Sequence, residues 1–263
     1  MPTRPSAISL GVVAALLAGN AASARKPQPT CFLLQELGGK PLARVNPELC
    51  ARPLSPASTF KIPHALIALE TGVLPDEHVF WSPPKPQSLR VWNRDHDLAS
   101  AIHYSALWYF QRIAGLVGPR REAEWLARLD YGNRAASGDV QQFWINGVLR
   151  ISADQQLQFL ERFFAGSLQA SARSQSLVKK LLEQEPGRPW AAGKTYRIDP
   201  WPRGAVLRAK SGTTGATGGV SWYVGELERG GKQYVFVTCV QGKPRQGSAA
   251  RETFRRLKAA GLL

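Results

Sequence analysis

The chain reads as an α+β protein, an α/β/α sandwich-like arrangement in which a central antiparallel sheet drawn from both termini is flanked by helices and interrupted by a mostly helical subdomain. Three observations predict it. Strand-like runs rich in β-branched and aromatic residues lie near the two ends, at about 31–46 and again from 205 to 240. The middle of the chain, about 73–185, places apolar residues three and four apart, the helical period. Glycine pairs at 38–39 and 230–231 separate strand runs that can pair as hairpins. The mixed part therefore spans about 25–72 and 186–263, the helical part about 73–185, and together they make one domain.

The first 24 residues carry one arginine, an apolar run from Ala7 to Ala18 and the small-residue pattern Ala22-Ser23-Ala24. This is a secretory signal, too short to span a bilayer, so the mature protein is expected to be soluble, without stable membrane insertion, and periplasmic or secreted. Phe32 to Glu36, the turn at Gly38-Gly39 and Pro41 to Arg44 then form a hairpin. Cys31 and Cys50 flank it and are expected to form a disulfide worth about 3 kcal/mol, whereas Cys239, inside the run Tyr234 to Val240, reads as a buried strand thiol.

Pro56 and Pro63 bracket a helix start, since proline lacks an N–H and fits where a first turn leaves donors unused; Gly72 closes that helix. Residues 73–96 hold Pro75, Pro83, Pro84 and Pro86 and read as loop. A helix is predicted from 95 to 116, with Leu98, Ile102, Ala106, Phe110 and Ile113 on one face and Ser105 in its middle. Another covers 120–130 and stops at Tyr131-Gly132-Asn133. Ser152 with Gln155 three residues on is a capping box opening a helix to about Phe164, and a further helix spans about 171–184. Beyond Pro186 come strands at 205–210, 219–228 and 232–240, then a helix over about 248–260 with Ala249, Phe254, Leu257 and Ala260 on one face.

A net charge of +15 raises the question of nucleic acid. The basic residues are scattered, with no Lys/Arg run longer than two and no interleaved aromatic platform, so nucleic acid is not the expected partner; steering of anionic small substrates, or solubility, is. His64, His78, His96 and His103 lack metal spacing, as do the cysteines, and His64 reads as a packed or hydrogen-bonded histidine. Residues 187–195 look like a phosphate loop, but the first glycine is one residue too far from the second and bulky residues break the cradle. A Gly-x-Ser-x-Gly elbow is absent, which leaves a Ser-His-Asp hydrolase unsupported.

The informative segment is Ser58-Thr59-Phe60-Lys61. At a buried helix start, residues three apart face the same way, which sets a nucleophile beside a base. The same spacing recurs at Ser82 to Lys85, where two prolines bar a helical turn, and at Ser176 to Lys179, whose lysines read as a solvated face. Three more segments follow in order: Ser105-Ala106-Leu107, Tyr131-Gly132-Asn133 and Lys210-Ser211-Gly212. Attack on an amide needs a base for the serine proton, a second group to pass it to the leaving nitrogen, and donors for the oxyanion.

With Ser-Pro-Ala-Ser-Thr-Phe-Lys-Ile-Pro at 55–63, Tyr-Gly-Asn at 131–133, Phe-Trp-Ile at 143–145, Leu-Arg-Ile-Ser at 149–152 and Ala-Lys-Ser-Gly-Thr at 209–213, the chain from about Cys31 to Leu262 resembles the penicillin-recognising serine enzymes. Within them it is most similar to the class D, oxacillinase-type β-lactamases. The resemblance implies hydrolysis of β-lactams through an acyl-enzyme on Ser58. Lys61 would be the general base after CO2 converts it to N6-carboxylysine, with no other cofactor and no metal. A neutral amine is required for that addition, and an apolar pocket favours one. Trp144 would hydrogen-bond the carbamate, Ser105 would relay the proton with Lys210 assisting, and the N–H groups of Ser58 and Thr213 would hold the oxyanion. Tyr131, Asn133, Ser211, Gly212 and Thr213 would line the substrate site. Arg251 would pair with the substrate carboxylate, although Arg245, Arg255 and Arg256 lie near it in sequence. Leu107 stands where the family usually has valine, over the carboxylated lysine, and Ser211 where threonine is commoner. A D-Ala-D-Ala transpeptidase or carboxypeptidase and a covalent β-lactam sensor would share the serine and lysines. Oligomeric state and the range of β-lactams accepted are not legible.

Overall fold

The computed structural model describes residues 28–146, 148–191, 194–215, 219–242, 244 and 247–263; the expected leader and Arg245 lie outside them. Strands β1 (Thr30–Glu36) and β2 (Pro41–Val45) form the first hairpin, β3 (Trp190–Ala191) and β4 (Lys194–Thr195) a small one, and β5 (Val206–Thr213), β6 (Gly219–Arg229) and β7 (Lys232–Gly242) a meander. The main sheet runs β2-β1-β7-β6-β5, antiparallel throughout. The two ends of the chain meet between β1 and β7, where Leu33 lies opposite Val237. This is the sheet expected from the strand runs at the two termini.

Nine α-helices lie among the described residues: α1 (Pro47–Ala51), α2 (Lys61–Glu70), α3 (Leu98–His103), α4 (Leu107–Val117), α5 (Pro119–Arg128), α6 (Phe143–Asn146), α7 (Ala153–Ala165), α8 (Ala172–Leu181) and α9 (Ser248–Ala259). Alternation along the strands builds two cores. Phe32, Tyr223 and Phe236 pack beneath Ala249, Phe254 and Leu257 of α9. Their neighbours Leu33, Trp222, Val224 and Val237 face the other way, into a core shared with α2, α4 and α7. Helix α7 comes from the middle of the chain yet lies on β7 and β1, so the inserted segment supplies one of the sheet's covering layers.

Local predictions fare differently. The capping box opens α7 as read: Ser152 Oγ accepts from the Gln155 N–H at 3.1 Å and the Gln155 side chain accepts from the Ser152 N–H at 3.0 Å. Cys31 and Cys50 are bonded, with Cα atoms 5.2 Å apart, and Cys239 is unbridged and buried. The continuous helix from 95 to 116 is corrected to α3 and α4, broken at Ser105, whose φ is 57°. The apolar face persists across the break, with Ile102, Ala106 and Phe110 all buried, so periodicity reported the face and not the continuity. The helix after Pro56 is a 3-10 turn over Ala57–Phe60 and becomes α-helical only at Lys61. Helices α1 and α6 and the β3–β4 hairpin were not foreseen; all are five residues or fewer, below the length at which a period can be read.

Candidate active site

Ser58 stands in the 3-10 turn that leads into α2, and Lys61 is the first residue of α2. Lys61 Nζ donates to Ser58 Oγ at 2.9 Å. The lysine is 1 % exposed and its ammonium position lies 5.2 Å from the centre of the Phe110 ring. Burial, reinforced by the nearby charge of Lys210, holds its pKa well below the ordinary lysine range. Ser58 is partly exposed, so a reagent can reach the hydroxyl while the amine behind it stays dry. The residue before the serine, Ala57, has φ 49°, a left-handed conformation that costs a β-carbon residue energy and turns the chain sharply at Ser58.

A second serine–lysine pair faces the first. Ser105, in its left-handed break between α3 and α4, accepts from Lys210 Nζ at 3.1 Å. Lys210 Nζ also donates to the Ser211 carbonyl at 3.1 Å. Strand β5 carries this lysine at 3 % exposure, and burial alone lowers its pKa to about 7. The side-chain alternation of β5 sends Lys210 toward the helical layer and Ser211, opposite Tyr223 on β6, toward α9.

Gly212 brings the pairs together. A β-carbon there would lie 3.0 Å from the backbone nitrogen atoms of both Ser58 and Thr59 and from the Pro56 carbonyl oxygen. Only a residue without a side chain lets the edge strand approach the Ser58 turn so closely. Thr213, next along β5, is exposed at the cleft.

Comparison with known proteins finds relatives along most of the chain. Residues 21–258 match the penicillin binding protein transpeptidase domain. The chain is 39 % identical over 210 residues to β-lactamase OXA-19 of Pseudomonas aeruginosa, covering 78 % of this chain and 73 % of that one. It is 33 % identical over 235 residues to the probable β-lactamase YbxI of Bacillus subtilis, covering 88 % and 81 %. A crystal structure of a class D β-lactamase from Bacillus subtilis superposes with TM-score 0.79 at 32 % identity, over 90 % of this chain and 94 % of that one. The chain belongs to the class D β-lactamases.

In this β-lactamase several of the residues expected at the substrate site also make contacts that hold the turn around Ser58. Tyr131 is fully buried between Phe60 and Phe159, its hydroxyl beside Thr59 and Gln156. Asn133 donates to the Val148 carbonyl at 2.8 Å and accepts from the Arg150 and Ala135 N–H groups, so its amide is engaged by the backbone. That clamp holds the segment whose Ile151 pairs with Leu54, four residues before Ser58. Trp144 is buried against Phe60, His64 and Phe143, and its carbonyl accepts from Ser55 Oγ at 2.8 Å. Thr59 is fixed by the Pro56 carbonyl at 2.7 Å and by Gln156 at 2.7 Å. Leu107, half-buried, opens α4 two residues after Ser105.

The arginines of α9 separate clearly. Arg255 and Arg256 both pair with Glu252, at 2.7 Å each, whereas Arg251 lies over the Tyr196 ring. His64, one turn beyond Lys61, is the hydrogen-bonded histidine expected, 2.8 Å from Glu122 Oε1 with both side chains wholly buried. Glu122 itself escaped notice because it sits in Arg120-Arg121-Glu122-Ala123-Glu124, a run that reads as solvated. Gln156 escaped for the same reason. Only its spacing from Ser152 and Phe159 on α7, which puts it on the buried face, signals otherwise.

Proposed function

We propose that this enzyme hydrolyses penicillin-like β-lactams through an acyl-enzyme on Ser58, and the observation that carries the reading is the buried, neutral-leaning Lys61 within 2.9 Å of Ser58 Oγ. A neutral amine adds CO2 to give a carbamate and release one proton, and the resulting N6-carboxylysine is a base of useful strength where an ordinary ammonium is not. That base takes the Ser58 proton as Oγ attacks the lactam carbonyl. The N–H groups of Ser58 and Thr213 hold the oxyanion. The C–N bond breaks as Ser105, backed by Lys210, relays to the nitrogen the proton that the carboxylysine took from Ser58, which leaves the carbamate free to act as a base again. The carboxylysine then activates water, which releases the product acid and restores Ser58. Trp144 shields the carbamate and Arg251 pairs with the substrate carboxylate. Residues 1–24 direct export to the periplasm or beyond, and among the described residues no helix is long and apolar enough to cross a membrane.

Turnover of many equivalents of benzylpenicillin, followed by absorbance, is the expected result. Activity should fall in CO2-depleted, mildly acidic buffer and return with bicarbonate. A single equivalent bound, with intact mass showing a long-lived acyl-enzyme, would instead mark a transpeptidase or a sensor. Indifference to bicarbonate after rigorous depletion would remove the carboxylysine step.

A further inference from the structure

Within the segment that looks like a phosphate loop, Trp190–Ala191 and Lys194–Thr195 pair as β3 and β4, and Tyr196, which follows them, reaches the start of α9. Tyr196 is anchored by its own N–H, which donates to the Pro189 carbonyl at 2.9 Å, and is only 9 % exposed, among Ala191, Trp201, Phe254 and the sheet. Its ring lies beneath Arg251, with the guanidinium carbon 5.9 Å from the centroid, and burial raises the phenol's pKa, an effect that the nearby guanidinium charge partly offsets. The same hydroxyl is wedged against the start of α9. Gly247, the residue preceding the helix, has φ 73°, and a β-carbon on it would fall 1.4 Å from the Tyr196 oxygen. Helix α9 is pinned behind that point by Thr253, whose hydroxyl meets Thr238 of β7 at 2.6 Å, and by the Ala249 N–H, which donates to Ser221 of β6 at 3.4 Å. The phenol therefore sits on a fixed base at both its ring and its oxygen, under an arginine that is itself exposed.

We propose that Tyr196 is a positioning residue that holds the Arg251 guanidinium ready for the substrate carboxylate. The inference rests on the carboxylate-binding role given to Arg251 above. A long exposed arginine samples many rotamers, and binding must freeze one of them; a phenol fixed beneath the guanidinium, its ring under the charge and its oxygen against the start of α9, removes much of that cost before substrate arrives. Such a residue acts on binding of the carboxylate and leaves the bond-breaking steps at Ser58 and Ser105 alone.

The test compares a penicillin with its methyl ester, which presents the same lactam without the negative charge, using wild type, Tyr196→Leu, Tyr196→Phe, Arg251→Ala and the Tyr196→Leu/Arg251→Ala double variant. Tyr196→Leu should raise KM for the acid about tenfold with kcat within about twofold, and cut the acid-over-ester preference in kcat/KM by the same factor. Tyr196→Phe, which keeps the ring and loses the oxygen, should lie between, at about threefold, and it carries the test if the leucine variant does not fold. In the Arg251→Ala background Tyr196→Leu should change nothing further. Equal losses on acid and ester, or effects that add in the double variant, would overturn the inference and leave Tyr196 a core residue. If Arg251→Ala itself spared the acid-over-ester preference, the assignment of Arg251 would fall first and this inference with it.

Discussion

The site contains two serine–lysine pairs that are alike in geometry and unlike in origin. Ser58 and Lys61 meet at 2.9 Å, Ser105 and Lys210 at 3.1 Å, and in both the lysine is buried while the serine is partly open. Each serine also lies at a left-handed backbone, Ala57 before the first and Ser105 itself at the second. The first pair is local, three residues apart across one turn. The second spans 105 residues and exists only because an edge strand docks beside a helix break. They differ electrostatically as well. Lys61 lies against an aromatic ring and feels Lys210 as a like charge, whereas Lys210 has a backbone carbonyl to bond and keeps a pKa of about 7. A lysine with an apolar wall and a cationic neighbour is suited to being neutral and reactive. One with a carbonyl partner is suited to exchanging its proton near neutrality.

The sharpest way to break that distinction is to remove the members of the first pair. Ser58→Ala should lose turnover by at least about 10⁴-fold, since every later step depends on the nucleophile. Lys61→Ala should lose turnover comparably while any acyl-enzyme formed at Ser58 persists for hours by intact mass. Full multi-turnover activity in Lys61→Ala would assign the base to the second pair instead. Ser105→Ala should be milder, about 10²-fold in kcat, in line with loss of one proton relay; an effect as large as that of Ser58→Ala would make the two pairs equivalent.

The contact between the pairs offers an intermediate test. Gly212→Ala places a methyl group 3.0 Å from the Ser58 and Thr59 nitrogens, tighter than ordinary packing, so β5 must retreat from the turn. A small retreat lengthens the approach of Lys210 and Thr213 to the nucleophile, and acylation by benzylpenicillin should slow about tenfold or more by stopped flow. An unchanged acylation rate would mean that the strand's position is not what couples the pairs.

How much of this was legible depended on range. The first pair, the capping box of α7, the disulfide and the sheet from both termini could be read because each rests on a spacing of a few residues or on a repeated pattern. The second pair could not, because 105 residues of chain carry no local signal of who faces whom, and family resemblance alone joined Ser105 to Lys210. The break at Ser105 was hidden by a hydrophobic face that continues through it. The supporting roles of Tyr131 and Asn133 were hidden because a tyrosine that packs and a tyrosine that binds look alike until its neighbours, Phe60 and Phe159, are known.

The smallest effect expected from the pairs is on stability, and it measures the second lysine directly. Lys210 carries a pKa of about 7 in the folded enzyme against 10.5 for an ordinary lysine. Between those values the unfolded chain holds a proton that the folded chain has released, so unfolding takes up protons and stability rises with pH. One such group contributes a slope of up to about 1.4 kcal/mol per pH unit. Lys61, also lowered by burial, adds a contribution of the same sign. Urea unfolding at pH 7, 8 and 9 without bicarbonate should therefore show wild type gaining stability, and Lys210→Met gaining less, by roughly one proton's worth of slope. The window stops at 9 because Cys239, whose buried thiol is raised from 9.0 to about 12, and then Tyr131 and Tyr223, whose buried phenols are raised, contribute with the opposite sign once their unfolded counterparts ionise, equally in wild type and Lys210→Met. Parallel slopes for wild type and Lys210→Met would show that Lys210 keeps its charge throughout. The second pair would then be a fixed positive electrode beside Ser105, unable to take or return a proton, and the relay would have to draw its proton from elsewhere.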